Sequence, residues 1–105
     1  MDNYNLQNKT VVVTGGSRGL GRIITKKLHS HNANVWICGR NEKSLLEVLE
    51  DCGNQNINYK VLDVSDENQV QIFINDVIKK NKKIDALINN AGIYGPKGPI
   101  ENITL

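Results

Sequence analysis

Four of the chain's nine glycines stand within seven residues, in Thr14-Gly15-Gly16-Ser17-Arg18-Gly19-Leu20-Gly21. A turn this rich in glycine lets a ligand reach bare backbone, and the chemistry it favours is phosphate binding. Gly15 suits a sharp turn. Gly19 keeps side-chain atoms away from an approaching pyrophosphate, and Gly21 lets a following helix pack close. A helix starting here offers free N–H groups and the positive end of its dipole, each contact contributing only about 0.3–1 kcal/mol. Affinity must therefore come from many contacts. A magnesium-nucleotide P-loop is excluded, because Gly21 is followed by Arg22 and Ile23 where lysine and a hydroxyl are required. The general G-x-G-x-x-G spacing does not fit either, since the order here is G-x-x-x-G-x-G. The plain alternative, a glycine turn that binds nothing, loses weight from the strand before it and the helix after it.

Other residues with chemical potential also fall where apolar runs end. Gly39-Arg40 closes the second run, Asp63-Val64 the third, and Asn89-Asn90-Ala91-Gly92 the fourth. His29 and His31 have no ligand-spaced Cys, Asp or Glu around them and read as surface residues near a helix C-terminus. Cys38 and Cys52 are too few for a disulfide framework or a zinc site; Cys38 lies in an apolar run and reads as a small buried hydrophobe. No Ser/His/Asp or Cys/His set has supporting context.

The elements that must position these residues alternate. Val11-Val12-Val13 is a continuous β-branched run, as expected of a strand covered on both faces. Leu20, Ile23, Ile24 and Leu28 follow at helical spacing and predict one apolar stripe. Val35–Cys38 is the second strand. Asn41 then caps a helix whose apolar positions are Leu45, Val48, Leu49 and Cys52, and Gly53 stops it. A third strand is expected at Asn58–Leu62. Asp66 caps the next helix with Gln69 as capping-box partner, and Val70, Phe73, Ile74, Val77 and Ile78 form its stripe. Ile84–Ile88 is the fourth strand, and both prolines, Pro96 and Pro99, mark the loop beyond it. The pattern βαβαβαβ predicts an α/β fold: a Rossmann-type, doubly wound parallel sheet in the order 3-2-1-4.

Composition agrees with such a fold and narrows its partners. With 105 residues the chain has room for one domain, and 39% hydrophobic with 23% charged residues reads as a globular protein. Thirteen basic against eleven acidic residues leave a net charge of +2, too small to imply nucleic acid, and Lys79–Lys83 reads as a solvated helix end. No apolar segment approaches the roughly 18 residues needed to span a bilayer. The first residues form no signal peptide, so Asn8-Lys9-Thr10 and Asn102-Ile103-Thr104 count as chance glycosylation matches and a cytoplasmic location is expected.

Thr14-Gly15-x-x-x-Gly19-x-Gly21 resembles the cofactor motif of the short-chain dehydrogenase/reductase family. Asn89-Asn90-Ala91-Gly92 is similar to that family's second motif, and Asp63-Val64 to the pair that meets the adenine ring. The motifs stand in the family's order, and the likeness extends over essentially the whole chain. It implies a nicotinamide dinucleotide held by Gly15, Ser17, Arg18, Gly19, Leu20, Gly21, Arg40, Asn41, Asp63, Val64, Asn90, Ala91 and Gly92. Proteins of this kind that bind NAD place an acid just after the second strand, to accept from the ribose 2′-hydroxyl. Here the residue is Arg40, whose guanidinium suits a 2′-phosphate, and Arg18 is near enough in sequence to join it. NADP is therefore expected over NAD, although each arginine alone reads equally well as a solvated cation.

The resemblance also implies hydride transfer between the nicotinamide and a carbonyl or alcohol substrate. The proton would be handled by a tyrosine with a lysine four residues later, beside a serine. Tyr4, Tyr59 and Tyr94 are followed at that spacing by Asn8, Asp63 and Gly98, so the chain has no such pair and no catalytic residue is expected within it. Thr104 reads as the cap of a helix not included. Residues 1–105 are thus expected to be the N-terminal, cofactor-binding part of a larger oxidoreductase domain, binding without turnover. A stand-alone nucleotide-binding module, self-associating through the open edge beside the fourth strand, is the alternative.

Overall fold

The structure, a computed structural model, describes residues 5–90. Its elements are β1 (Thr10–Thr14), α1 (Gly19–Ser30), β2 (Asn34–Gly39), α2 (Glu42–Asp51), β3 (Ile57–Val61), α3 (Glu67–Asn81) and β4 (Ala86–Asn89). All strand pairs are parallel and the order is β3-β2-β1-β4, as the alternating pattern predicts. In register, Val13 faces Ile37 on β2 and Ile88 on β4, while Ile37 faces Tyr59 on β3. The third strand begins one residue earlier than expected and the fourth two residues later.

Alternation along the strands divides the core between two faces. Val11, Val13, Val35, Ile37 and Ile57 share one face with Leu45, Val48 and Cys52 of α2 and its C-cap. Val12, Trp36 and Cys38 point the other way, against Leu62 and against Phe73 and Val77 of α3. Both faces are covered, which explains why β1 is buried at every position and apolar between its two terminal threonines. Trp36 and Phe73 meet edge to face at 6.1 Å, and the Lys80 ammonium lies 5.7 Å from the indole centroid.

Helix α1 departs from the expected stripe. Leu20 and Ile23 are 62% and 65% exposed, whereas the buried positions are Gly21 and Thr25. The start of the helix lies so close to the turn before it that only a small residue fits at Gly21, and of the four apolar residues Leu20 and Ile23 are exposed while Leu28 packs on the core.

Helices α2 and α3 begin as expected. The Asn41 side chain accepts from Ser44 N–H at 3.0 Å, and Asp66 Oδ1 accepts from Asn68 and Gln69 N–H at 3.0 and 3.2 Å. The Gln69 side chain does not complete a capping box on Asp66 N–H. Its Nε2 donates to Asp66 Oδ2, and its Oε1 accepts from the Asp63 N–H, reaching further up the loop.

Strand β4 is fixed to β1 at both ends. Asp85 N–H donates to the Thr10 carbonyl and Thr10 N–H to Asp85 Oδ2, each at 2.8 Å. At the other end Thr14 Oγ1 donates to Asn89 Oδ1 at 2.7 Å. Across α1 and α2, Arg22 binds Asp51 at 2.6 Å, with Lys26 and Glu47 on the rim.

Thr25 Oγ1 is buried with no hydrogen-bond partner among the described residues. Removing an unpaired buried hydroxyl while keeping its shape is neutral or stabilising, by up to about 1–3 kcal/mol. Thr25→Val is therefore expected to hold or raise the urea midpoint, and a clear fall would show that the hydroxyl has a partner. The Arg22 guanidinium holds the Asp51 carboxyl below its ordinary range, and the Thr10 N–H does the same for Asp85. Depressed folded values mean stabilisation that is complete above the ordinary carboxylate pKa and lost as pH falls below about 4. Asp85→Asn, which keeps an oxygen for Thr10, is expected to flatten that acid limb in pH-dependent urea titrations.

Candidate functional site

Each strand of the sheet hands its carboxyl end to a turn, and the turns are bonded side by side. Gly15 N–H donates to the Cys38 carbonyl, Leu62 N–H to that of Gly39, and Asn90 N–H to that of Thr14. These bonds continue the parallel ladders beyond the strands. They bring together the four segments singled out in the sequence: the glycine turn, Gly39-Arg40, Asp63-Val64 and the Asn89-Asn90 start of the last motif.

The glycine turn is built around Gly21. A Cβ placed there would stand 2.0 Å from the Gly15 carbonyl oxygen and 2.5 Å from Asn90 Nδ2. Gly21 thus allows α1 to approach the turn itself, and through Asn90 the end of β4, more than it serves packing on the sheet. Asn90 Nδ2 also donates to the Gly15 carbonyl at 3.4 Å. Gly19 adopts a left-handed backbone with φ +51°, and a Cβ there would meet nothing within 4 Å, so approach to the backbone is open.

The start of α1 differs from those of α2 and α3. Arg18, its N-cap, is extended and makes no side-chain cap bond, and the first turn carries no acid. The other two starts are capped by Asn41 and Asp66 and carry Glu42 and Glu67 in their first turns. Arg22 N–H bonds to the Arg18 carbonyl, so the N–H groups before it, from Gly19 to Gly21, lack helical acceptors. Free donors and a positive dipole end beside open space suit an anion.

Gly15, Ser17 and Arg18 form one wall of a cleft of about 200 Å³; Gly39, Arg40, Asn41 and Val64 form the rest. Ser17 is buried beside Gly39. Leu20 stands in the first turn of α1 with its side chain outward. Arg40 is 73% exposed and lies 3.8 Å from Asp63 Oδ1. Asp63 Oδ1 accepts from both the hydroxyl and the N–H of Ser65, at 2.7 and 2.9 Å. These bonds, followed by the Arg40 charge, hold the carboxyl below its ordinary range. The Asn41 oxygen is engaged in capping α2. Ala91 and Gly92 lie outside the described residues. A larger groove of about 610 Å³, lined by Asn8, Asn34, Asn81 and Lys80 among others, sits at the opposite strand ends, and no motif residue lines it.

Two contributors were not anticipated from the sequence. Gly16 is buried behind the turn, where a Cβ would come within 2.6 Å of Ile37 and 2.8 Å of Thr25 Oγ1. Asn89 ties the last motif to β1 through Thr14, and the signal for it was an amide opposite a hydroxyl in the same register. Cys38, beneath Gly15, is fully buried; burial pushes its thiol up to about 12, so it is protonated and inert at neutral pH. Among the described residues no cluster of His, Cys, Asp or Glu could hold a metal, and no helix is long and apolar enough to cross a membrane.

Known proteins share this arrangement. The family model for short chain dehydrogenase matches residues 9–105. The 3-oxoacyl-[acyl-carrier-protein] reductase FabG of Chlamydia muridarum is 39% identical over 94 residues, covering 87% of this chain and 38% of that protein. A tropinone reductase homolog of Datura stramonium is 37% identical over 97 residues, covering 90% and 36%. Among solved structures, a short chain dehydrogenase from Bacillus anthracis superposes with a TM-score of 0.77 at 31% identity, over 83% of this chain and 36% of that one. An actinorhodin polyketide ketoreductase with NADPH gives 0.74 at 25% identity, over 90% and 37%. The chain therefore spans well under half the length of the relatives it matches.

Gly21→Ala is expected to lower stability by about 3 kcal/mol, the upper end of overpacking costs, because the obstructing atom is backbone and cannot rotate away. Urea denaturation of the variant and wild type measures this; an unchanged midpoint would mean that α1 shifts freely from the turn.

Proposed function

Since the chain belongs to the short-chain dehydrogenase family, we propose that it is the cofactor-binding, N-terminal part of an NADP(H)-dependent oxidoreductase acting on a carbonyl or alcohol substrate. The observation that carries the reading is the uncapped start of α1, whose N-cap residue Arg18 lines the cleft that Arg40 borders. When bound, the nicotinamide supplies or accepts the hydride. The chain's own residues bind and orient.

In this reading the N–H groups from Gly19 to Gly21 hold the pyrophosphate, and Gly15 and Ser17 shape the turn beneath it. Asp63 and Val64 meet the adenine, and Asn90, with Ala91 and Gly92, borders the nicotinamide half. Arg40, with Arg18 across the cleft, faces the adenosine ribose. The β2 end bears no carboxylate to repel a 2′-phosphate, and the Arg40 guanidinium can form charge-assisted paired bonds to one. The family's Ser and Tyr-x-x-x-Lys are not among these 105 residues, so the proposal gives them binding and no proton transfer. The two free, buried cysteines suit a reducing compartment such as the cytoplasm.

Titration of wild type and Arg40→Asp with NADPH and NADH tests the reading. Wild type is expected to prefer NADPH by about tenfold or more, and the variant to lose or reverse that preference. An unchanged preference would remove Arg40 from the site, and binding of neither dinucleotide would overturn the proposal.

A further inference from the structure

In the loop from Leu62 to Asp66 nearly every N–H and carboxylate oxygen is engaged, by the loop itself, by α3 or by the end of β2. Leu62 N–H donates to the Gly39 carbonyl, and Asp66 N–H to the Asp63 carbonyl. Asp63 N–H is held by Gln69 Oε1 at 3.0 Å, and Gln69 is in turn held by Asp66 through its backbone and its Nε2. Ser65 directs both its N–H and its hydroxyl to Asp63 Oδ1, the oxygen that Arg40 also faces. Among the described residues, Val64 is the one residue of the loop whose N–H has no partner, and Asp63 Oδ2 is the one carboxylate oxygen of the loop left without one. One is a backbone donor and the other a carboxylate acceptor, on adjacent residues.

We propose that Ser65 and Gln69 are positioning residues that impose this division of labour, fixing Asp63 so that the loop presents one acceptor and one donor to a ligand base. The inference rests on the dinucleotide reading above and deepens it by assigning the selection of the base to residues that do not touch it. Ser65 occupies one carboxylate oxygen, which orients the other. Gln69 removes the Asp63 N–H from competition, leaving Val64 as the available donor. An adjacent acceptor and donor match the edge of adenine, whose exocyclic amino group donates while the neighbouring ring nitrogen accepts. Hypoxanthine reverses both, presenting a carbonyl oxygen to the carboxylate and an N–H to the Val64 N–H. Mismatches that leave polar groups facing like groups are costly, so the pair discriminates between bases beyond simply adding affinity.

The experiment compares NADPH with its hypoxanthine analogue on the full chain by fluorescence titration, in wild type, Ser65→Ala, Ser65→Thr and Gln69→Leu. Wild type is expected to favour adenine by about tenfold or more, and Ser65→Ala and Gln69→Leu to fall within about threefold of parity. Ser65→Thr retains both donors and is expected to restore the preference, which a loss of folding in the alanine variant would not obscure. Preference for NADPH over NADH is set at Arg40 and is expected to survive in Gln69→Leu. If wild type discriminates and the alanine and leucine variants discriminate equally well, the positioning role is overturned while the dinucleotide reading stands. If wild type binds both bases equally, or binds neither dinucleotide, the adenine reading fails and this inference fails with it.

Discussion

The rest of the structure depends on how closely α1 approaches the turn that precedes it. With hydrogen alone at position 21, the helix backbone can lie against the Gly15 carbonyl, where a methyl group would stand 2.0 Å away. That approach aims the first turn of α1 along the carboxyl edge of the sheet. It also places Thr25 against Gly16 and brings the Asn90 side chain within reach of the Gly15 carbonyl. The turn, the helix and the end of β4 therefore form one unit. A displacement of α1 would disturb all three.

A second constraint is the unequal treatment of helix starts. Asn41 and Asp66 satisfy the first N–H groups of α2 and α3, and an acid stands in each first turn. Both features oppose the arrival of another anion. At α1 neither is present, and the N-cap position is held by a cation. Among the described residues two of the three helix starts are thus closed and the third is left available, one of the two being closed by Asn41 in the cleft wall itself. Asn41 and Asp66 make the starts of their own helices unattractive to an anion.

The alternation of strands and helices was legible in the sequence because each apolar run ends in a glycine, an aspartate or an asparagine pair that marks the carboxyl edge. Helix α1 was not legible in the same way. Its four large apolar residues have the spacing of a buried stripe, yet Leu20 and Ile23 face outward, and the closest approach of the helix to the turn is made at Gly21, where no side chain fits. Periodicity reports which side chains could line a core; it does not report how near the backbones come. The candidate site residues stand directly after strands in the sequence, and the parallel order brings those strand ends to one edge. The roles of Gly16, Asn89, Ser65 and Gln69 stayed hidden, since each acts on a neighbour and depends on distances that spacing along the chain does not encode.

Trp36 is the chain's one tryptophan, and it is held in a single environment by Phe73 at its edge and Lys80 above its ring. It stands three residues before Gly39 on β2, about 10 Å along the strand from the cleft. Indole emits in the band where a reduced nicotinamide absorbs, and the energy passes without contact over such a separation. If the proposed dinucleotide binds at the carboxyl edge, the packing that stabilises the α3 face would also give the protein an internal lamp, dimmed by the reduced form.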